Sequence, residues 1–410
     1  MTTQNNNCRF CFMTSSYSNL YIVIMKSQLL KYTIFYIDPQ SYHNLSTYDY
    51  SLLSKVRDFD VHYLCSKYYD NRRHDWVKYH HVFSYNRIGR RWLKALCYVF
   101  NYVCVLMLIV RFRPALIHLQ WMRLPQFDYF FYRCVKGVFG TKLVYTAHNV
   151  LPLHSGKRDQ AIYGKFYRLT DRIIVHTEDT KMQLMQLFGL DGGKLSVVQH
   201  GRLQMEYDAR LYESQKADFE SRYHLDGKVV FTSLGEQSQY KGSDILADVW
   251  AETPELNRND SCMLIMVGKQ RGIDLSKLKQ FGNVIIDDRK IPNEEYYYLM
   301  THASVYLLTY RKTSFSQSGA LMTAITEKIP ILVSNVGGLA DPLKIADIGW
   351  MINDVCNRDE LRDMLLHILN SKEELERIKA DSDGWNRVHE FYDWNRISLQ
   401  TQEIYHSLIG

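Results

Sequence analysis

The chain has 410 residues, more than one core of usual size accommodates, so two domains are the expectation. An apolar fraction of 46% and a charged fraction of 23% are ordinary for a globular protein. A net charge of +6 favours an anionic ligand or a membrane surface, but it is too weak to argue for nucleic acid, and no basic run with interleaved aromatics supports that partner. The 30 tyrosines suit stacking on sugars or bases and equally fit a plain compositional bias.

Residues 1–24 are polar and irregular, with no charged-then-apolar signal pattern, and Met25 directly precedes the first good strand. They read as an extension or a non-native start. Cys8 and Cys11 have C-x-x-C spacing without a second pair or a His cluster, so no metal is expected there, and the eight scattered cysteines suggest a reduced, cytoplasmic protein.

From Tyr32 onward, apolar β-rich runs alternate with helical periodicity, as in parallel sheets covered by helices on both faces. Strands are predicted at Tyr32–Ile37, Asp60–Cys65, Leu116–Leu119, Lys142–Thr146, Arg172–His176 and Leu195–Val198, giving a first doubly wound domain over residues 25–204. Within it, Leu96–Val110 is an apolar run of 15 residues interrupted by Asn101, short of the roughly 20 that span a bilayer. A buried helix is the expectation, with Arg90, Arg91, Lys94, Arg111 and Arg113 leaving room for peripheral attachment to an anionic leaflet.

Residues 205–227 read as a helical connector. A second series, KVVFTSLG, CMLIMVG, NVIIDD, SVYLLTY, IPILVS and IGWMI, gives a second doubly wound domain over residues 228–384. Residues 385–410 are amphipathic helices able to cross back onto the first domain. Two such domains face a central cleft, and ligands of these sheets bind beyond the carboxyl ends of the strands.

Three turns at those ends suit an anion, most simply a diphosphate. Gly235 ends a strand and is followed by Lys241-Gly242, while Ser318-Gly319 opens a helix and Gly337-Gly338 follows the next strand. Glycine lets backbone N–H groups approach a phosphate, and lysine adds a point charge.

The segments LGEQSQYKGSDILADVW, MLIMVGK, RKIPNEEYYYLMTHASVYLLTYR and SQSGALMTAITEKIPILVSNVGGLAD resemble the donor-binding half of GT-B glycosyltransferases, closest to glycosyltransferase family 4. YIDPQSYHNLSTYDYSLLSKV, VYTAHNV, LTDRIIVHTEDTKMQL and VVQHG are similar to the other half, so the resemblance spans nearly everything from Met25 onward. It implies a GT-B fold and transfer of a sugar, with retention, from a nucleotide-sugar donor to a saccharide or lipid-linked acceptor in surface polysaccharide or glycolipid synthesis.

By position, the resemblance makes His148 the cleft histidine that touches the donor sugar and Lys241 the lysine that neutralises the diphosphate. It makes Gln317, Ser318 and Gly319 the phosphate turn, with Gly235, Gly337 and Gly338 alongside, and places the base near Ile291. His43 and Asn44 fall where an acceptor sits. Retaining transfer of this type uses the leaving phosphate to help deprotonate the acceptor, so no dedicated base, cofactor or metal is expected. The adjacent Asp287 and Asp288 point to opposite faces of a strand and do not suggest one.

Two departures stand out. Glu236 occupies a position where the family commonly has an arginine, so either it points away or a cation such as Arg311 or Lys312 substitutes. Phe315 and Thr323 stand where two glutamates are usual, which leaves ribose recognition open. His154, His176, Glu178 and His200 are weaker candidates near strand ends, His200 fitting a hinge better than a ligand. A sugar-nucleotide epimerase and an inactive sugar-nucleotide-binding relative remain the alternatives.

Overall fold

The computed structural model describes residues 31–42, 44–69, 72–151, 156–312 and 317–410. Met25, Cys8, Cys11, His43, His154 and Phe315 lie outside the described residues.

The first sheet contains β1 (Thr33–Ile37), β2 (Asp60–Ser66), β3 (Val77–Phe83), β4 (Leu116–Leu119), β5 (Lys142–Thr146), β6 (Arg172–Val175) and β7 (Leu195–Val197). All seven are parallel, in the order β3-β2-β1-β4-β5-β6-β7. Its helices are α1 (Asn44–Leu52), α2 (Arg91–Phe112), α3 (Pro125–Phe139), α4 (Lys157–Leu169) and α5 (Glu178–Phe188). The central strands are apolar on both faces, as a doubly covered parallel sheet requires: Ile34, Phe35, Tyr36 and Ile37 of β1 are all fully buried.

The edge strand β3 is an addition to the six expected. Its sequence VKYHHVF alternates between buried ends and exposed polar positions, because only one neighbour and one face cover it.

Helix α6 (Ala209–Tyr223), capped by Asp208 through the N–H groups of Arg210 and Leu211, leads into the second sheet. That sheet comprises β8 (Val229–Leu234), β10 (Cys262–Val267), β12 (Val284–Asp287), β13 (Val305–Leu308), β14 (Ile331–Ser334) and β15 (Gly349–Ile352), parallel in the order β12-β10-β8-β13-β14-β15. A two-stranded pair, β9 (Gln237–Ser238) with β11 (Gln270–Arg271), sits at its rim. Helices α7 (Ser243–Glu252), α8 (Asn293–Thr301), α9 (Gly319–Thr326), α10 (Arg358–Asn370), α11 (Lys372–Ala380) and α12 (Ser382–Phe391) cover it. The span read as a connector thus contains α6, which joins the second core: Tyr223 and Arg222 hydrogen-bond Glu295 of α8, and Glu294 accepts from the Asp208 N–H at 2.9 Å.

The last helix, α13 (Trp394–Ile409), packs on the first domain. Ser398 donates to the Leu52 carbonyl at 2.6 Å, Gln402 accepts from the N–H groups of Arg57 and Asp58, and Tyr405 reaches His118 under the sheet.

Helix α2 corrects the expectation of a buried helix. It runs 22 residues, and only Tyr98, Asn101, Tyr102, Val105 and Ile109 are buried, while an apolar stripe on the other side faces solvent. Asn101, the interruption in the run, belongs to the buried face, where it accepts from the Ser84 N–H at 3.1 Å and donates to its hydroxyl at 3.2 Å.

Candidate functional site

In each sheet the chain reverses its direction of growth once, between β1 and β4 and between β8 and β13. Strand ends at such switch points diverge and leave a crevice. The two crevices face each other across a cavity of about 560 Å³. Asp38 follows β1, Trp121 follows β4, His148 and Asn149 follow β5, and Leu234 and Gly235 end β8, and all of them line it.

Three histidines from three successive strand ends, His148, His176 and His200, form the first-domain wall. The His176 Nδ1 lies 2.9 Å from the Val198 carbonyl, which only accepts, so that nitrogen carries the proton. Its Nε2 must then accept from His148 Nδ1, 3.2 Å away. The His148 Nε2 is consequently a lone pair; the Gln120 oxygen stands 3.0 Å from it and the Gln120 nitrogen 3.0 Å from His118 Nε2, and this tautomer requires the amide turned over, with its NH2 on His148 and its oxygen accepting from His118. His118 closes the chain by accepting from the Tyr405 hydroxyl at 2.6 Å. Burial keeps all four rings neutral: it lowers His118 and His200 to about 3 and His176 to about 4, and puts His148 well below its ordinary range.

Asp38 and Asp49 form the floor beside Tyr48. Tyr36 donates to one Asp49 oxygen at 2.7 Å and Tyr63 to the other, while the Gln40 N–H donates to Asp38 at 2.6 Å. Burial raises Asp49 to about 6, and burial together with the neighbouring Asp49 charge pushes Asp38 well above the carboxylate range. Two such carboxyls keep a proton between them rather than ionise together.

The second-domain wall is cationic. Lys241 ends a single helical turn, Gln239–Lys241, and no carboxylate among the described residues pairs with it. Gly235 adopts φ 94°, a conformation that favours glycine, and its Cα faces the Lys241 amine, which a Cβ there would meet at an ordinary contact distance of 3.6 Å. Opposite stands the amino end of α9, capped by Ser318, whose hydroxyl accepts from the Leu321 N–H and meets Tyr310 at 3.0 Å. The first N–H groups of that helix have no intrahelical partner.

Of the residues singled out from the sequence, His148, Lys241, Gly235, Gln317, Gly319 and Thr323 line the cavity, and so do His176 and His200. His200 lines the wall and also directly precedes Gly201 and Arg202, where the chain leaves the first domain. Ser318 acts behind the wall as the cap. Gly337 and Gly338 form the turn beyond β14 next to Gln317, off the cavity surface. The Ile291 side chain is buried in the core, and Asn293 and Tyr296 of α8, just after it, line the cavity. Asn44 opens α1.

Arg311 and Lys312 are not the substitute cations: they pair with Asp244 at 2.5 Å and Asp354 at 3.2 Å, away from the cavity. Glu236 points outward to Arg271 at 3.2 Å, which removes the repulsion its position implied. Glu178 is exposed beside Lys181, and Asp287 and Asp288 pair separately with Arg289 and Lys269. Reading the sequence assigned no role to Asp38, Asp49, Tyr48, Trp121 or Gln120. The signal for Asp38 was available, since it directly follows the first strand of a doubly wound sheet.

A model of Glycosyltransferase Family 4 matches residues 52–202, and a model of Glycosyl transferases group 1 matches residues 214–384. No curated protein sequence matches the chain. Among solved structures it is similar to HepE of Anabaena in complex with UDP and glucose, at 15% identity over 92% of this chain and 100% of that one, TM-score 0.63. It is also similar to sucrose-phosphate synthase of Thermosynechococcus elongatus, at 14% identity, 92% and 99% coverage and TM-score 0.66. A third is WaaG, a glycosyltransferase involved in lipopolysaccharide biosynthesis, at 15% identity, 91% and 99% coverage and TM-score 0.58. With one family model on each side of the cleft and two facing doubly wound sheets between them, the chain belongs to the GT-B glycosyltransferases of the family 4 type.

Proposed function

We propose that this glycosyltransferase moves a sugar, with retention, from a nucleotide-sugar to a saccharide or lipid-linked acceptor in surface polysaccharide or glycolipid synthesis, in the cytoplasm at the inner face of the membrane. The observation that carries the reading is Lys241: a lysine without a carboxylate partner, beside Gly235 and facing the amino end of α9, in a cavity large enough for a small ligand. Departure of a nucleoside diphosphate builds charge on its phosphates, and Lys241 with the Gly319 N–H stabilises that charge as it forms. Gln317 and Thr323 border the same wall, and Asn293 and Tyr296 border the region expected to hold the base. Across the cavity His148 faces the sugar, held in one tautomer by His176 and Val198. The acceptor enters past α1, where His43 and Asn44 lie in sequence. With a lysine neutralising the diphosphate, the scheme uses no metal.

Asp38 and Asp49 are the one feature that favours a second reading, because an epimerase works with cleft carboxylates. Both are already engaged by Tyr36, Tyr63 and the Gln40 N–H, which fits a floor better than an acid and base pair.

Thermal unfolding with UDP-, GDP- and dTDP-sugars tests the proposal, since a ligand bound only by the folded state raises Tm. One of the three classes is expected to stabilise the protein. A melting temperature indifferent to all three would remove the proposal's basis.

A further inference from the structure

We propose that the exposed face of α2 docks the protein on an anionic lipid surface, as a helix lying in the interface rather than spanning it. The inference concerns a surface remote from Lys241 and stands whether or not the donor reading holds.

The exposed apolar side chains of α2 fall at Trp92, Leu96, Val99, Val103, Leu106 and Val110, alternating steps of four and three that keep them on one side of a helix. Phe100 and Met107, 72% and 58% exposed, broaden the stripe. On α3, whose Asp128 accepts from Tyr98 of α2, Phe130 and Val138 are likewise 66% and 73% exposed. A continuous apolar face of this length on a water-soluble surface calls for an occupant.

Charge identifies the occupant. From Trp76 to Arg158 the chain has thirteen lysines and arginines and a single carboxylate, Asp128, so this stretch carries twice the net +6 of the whole protein. Asp128 is fully buried, where it accepts from the Tyr98 hydroxyl at 2.7 Å and from the N–H groups of Arg123 and Leu124. Two of the cations pair with carboxylates from outside the stretch, Lys78 with Asp60 and Lys136 with Asp171, whereas no carboxylate among the described residues pairs with Arg90, Arg91, Lys94, Arg111 or Arg113 at the ends of α2. Arg90, Arg91 and Lys94 stand at one end of α2, Arg111 and Arg113 at the other, and no charged residue lies between Lys94 and Arg111. An apolar strip bounded by cations matches lipid chains beneath anionic headgroups, whereas a second copy of the chain would set these cations against each other.

At 22 residues α2 is long and apolar enough to cross a bilayer, but its other face ties it to the domain. Tyr98 and Tyr102 share a hydroxyl network with Asp128 and Tyr132, and Asn101 satisfies the backbone of Ser84. Spanning would strip these groups of partners. The amino end of α2 is also joined to the cleft: Tyr85 and Asn86, just before it, both donate to the Pro39 carbonyl, at 2.9 and 3.0 Å, next to Asp38. A membrane under α2 thus lies close to the acceptor side of the cavity.

Sedimentation of the full-length protein with vesicles tests this. Binding to vesicles of phosphatidylcholine mixed with phosphatidylglycerol is expected, weakening as salt is raised, with much less binding to phosphatidylcholine alone. Phe100→Ser with Met107→Ser, and separately Arg90→Glu with Arg91→Glu, should each reduce the bound fraction by about ten-fold or more. All four positions are exposed, so both pairs should keep the wild-type Tm and its response to nucleotide-sugars. Wild-type protein that stays in the supernatant with anionic vesicles, or pairs that bind as well as wild type, would overturn the proposal. So would a solution dimer that Phe100→Ser with Met107→Ser dissolves, since the face would then be an interface between copies.

Discussion

Trp121 lies flat on His148, with ring centroids 4.6 Å apart and planes 11° from parallel. With His176 on one nitrogen and Gln120 on the other, the stack leaves the imidazole a single orientation at the cavity wall. Trp121→Ala should lower kcat by about 100-fold through misplacement of the ring, while Trp121→Phe, which can still stack, should stay within a few-fold. Initial rates of nucleoside diphosphate release decide this, and equal rates for the two variants would show that the stack is unimportant.

Lys241→Ala should weaken nucleoside diphosphate binding by about 10- to 100-fold, the range for loss of a hydrogen bond to a charged group. Lys241→Arg should recover part of it. Titration calorimetry provides the measurement, and unchanged affinity would withdraw Lys241 from the diphosphate site.

Gly338 has no room for a side chain. A Cβ there would come within 2.3 Å of the Gln317 side-chain oxygen and 2.4 Å of a methyl carbon of Thr177, which belongs to the opposite domain. Gly338→Ala is expected to displace Gln317 from the cavity wall and wedge the cleft, raising KM for the donor several-fold with little change in Tm. A variant with wild-type KM would contradict that.

The neutral histidines make stability depend on pH. In the folded state His118 and His200 lie near 3, His176 near 4 and His148 well below its ordinary range, against about 6.5 in an unfolded chain, so unfolding takes up protons in acid. Their contribution is complete above about pH 6.5 and is lost as pH falls toward 4, with each ring adding a slope of up to about 1.4 kcal/mol per pH unit. Asp49 acts in the opposite sense: raised to about 6, it favours the fold below about pH 4 and loses that contribution as pH rises through 6. Asp38, pushed up beside it, and Asp128, raised to about 7, act in the same sense as Asp49, so the histidine contribution is read as a difference: from pH 7 to pH 5.5 the urea midpoint of the wild type should drop relative to that of His200→Asn. A constant difference between the two proteins over that interval would refute the assignment.

Asn101→Leu makes α2 more apolar and should nevertheless destabilise the protein by about 1–3 kcal/mol, because the Ser84 N–H would lose its acceptor. Urea unfolding measures the difference, and a stabilised variant would mean that Asn101 faces solvent.

That residue shows what a sequence conceals. The six strands of the second sheet could be read directly because strands covered on both faces are unbroken apolar runs, as in CMLIMV and ILVS. VKYHHVF could not, since an edge strand keeps polar residues. The stripe on α2 was hidden for a different reason: an apolar helix has the same composition whether its faces are covered or bare. In the cleft, Lys241 and Gly235 stood out because turn chemistry is local. The members of the histidine wall could be named only singly, because they come from three strand ends and acquire one chemistry only when β5, β6 and β7 lie side by side. Asp38 and Asp49 meet in the same way, across the end of β1 and the body of α1.

The return of α13 to the first domain means that the chain passes between domains twice, near Arg202 and near Trp394. The crossings are fastened together: the Arg202 N–H donates to the Tyr392 carbonyl at 3.0 Å, and the Trp394 indole N–H donates to the Arg202 carbonyl at 2.6 Å. At Gly201 the backbone runs so close to the Trp394 ring that a Cβ would come within 2.3 Å of it. Two adjacent crossings define a line rather than a point, so the halves can swing like a door on its pins but cannot turn freely as on a single tether. Lys241 and His148 lie on opposite sides of that line, so a swing about it changes their separation without changing which wall faces which.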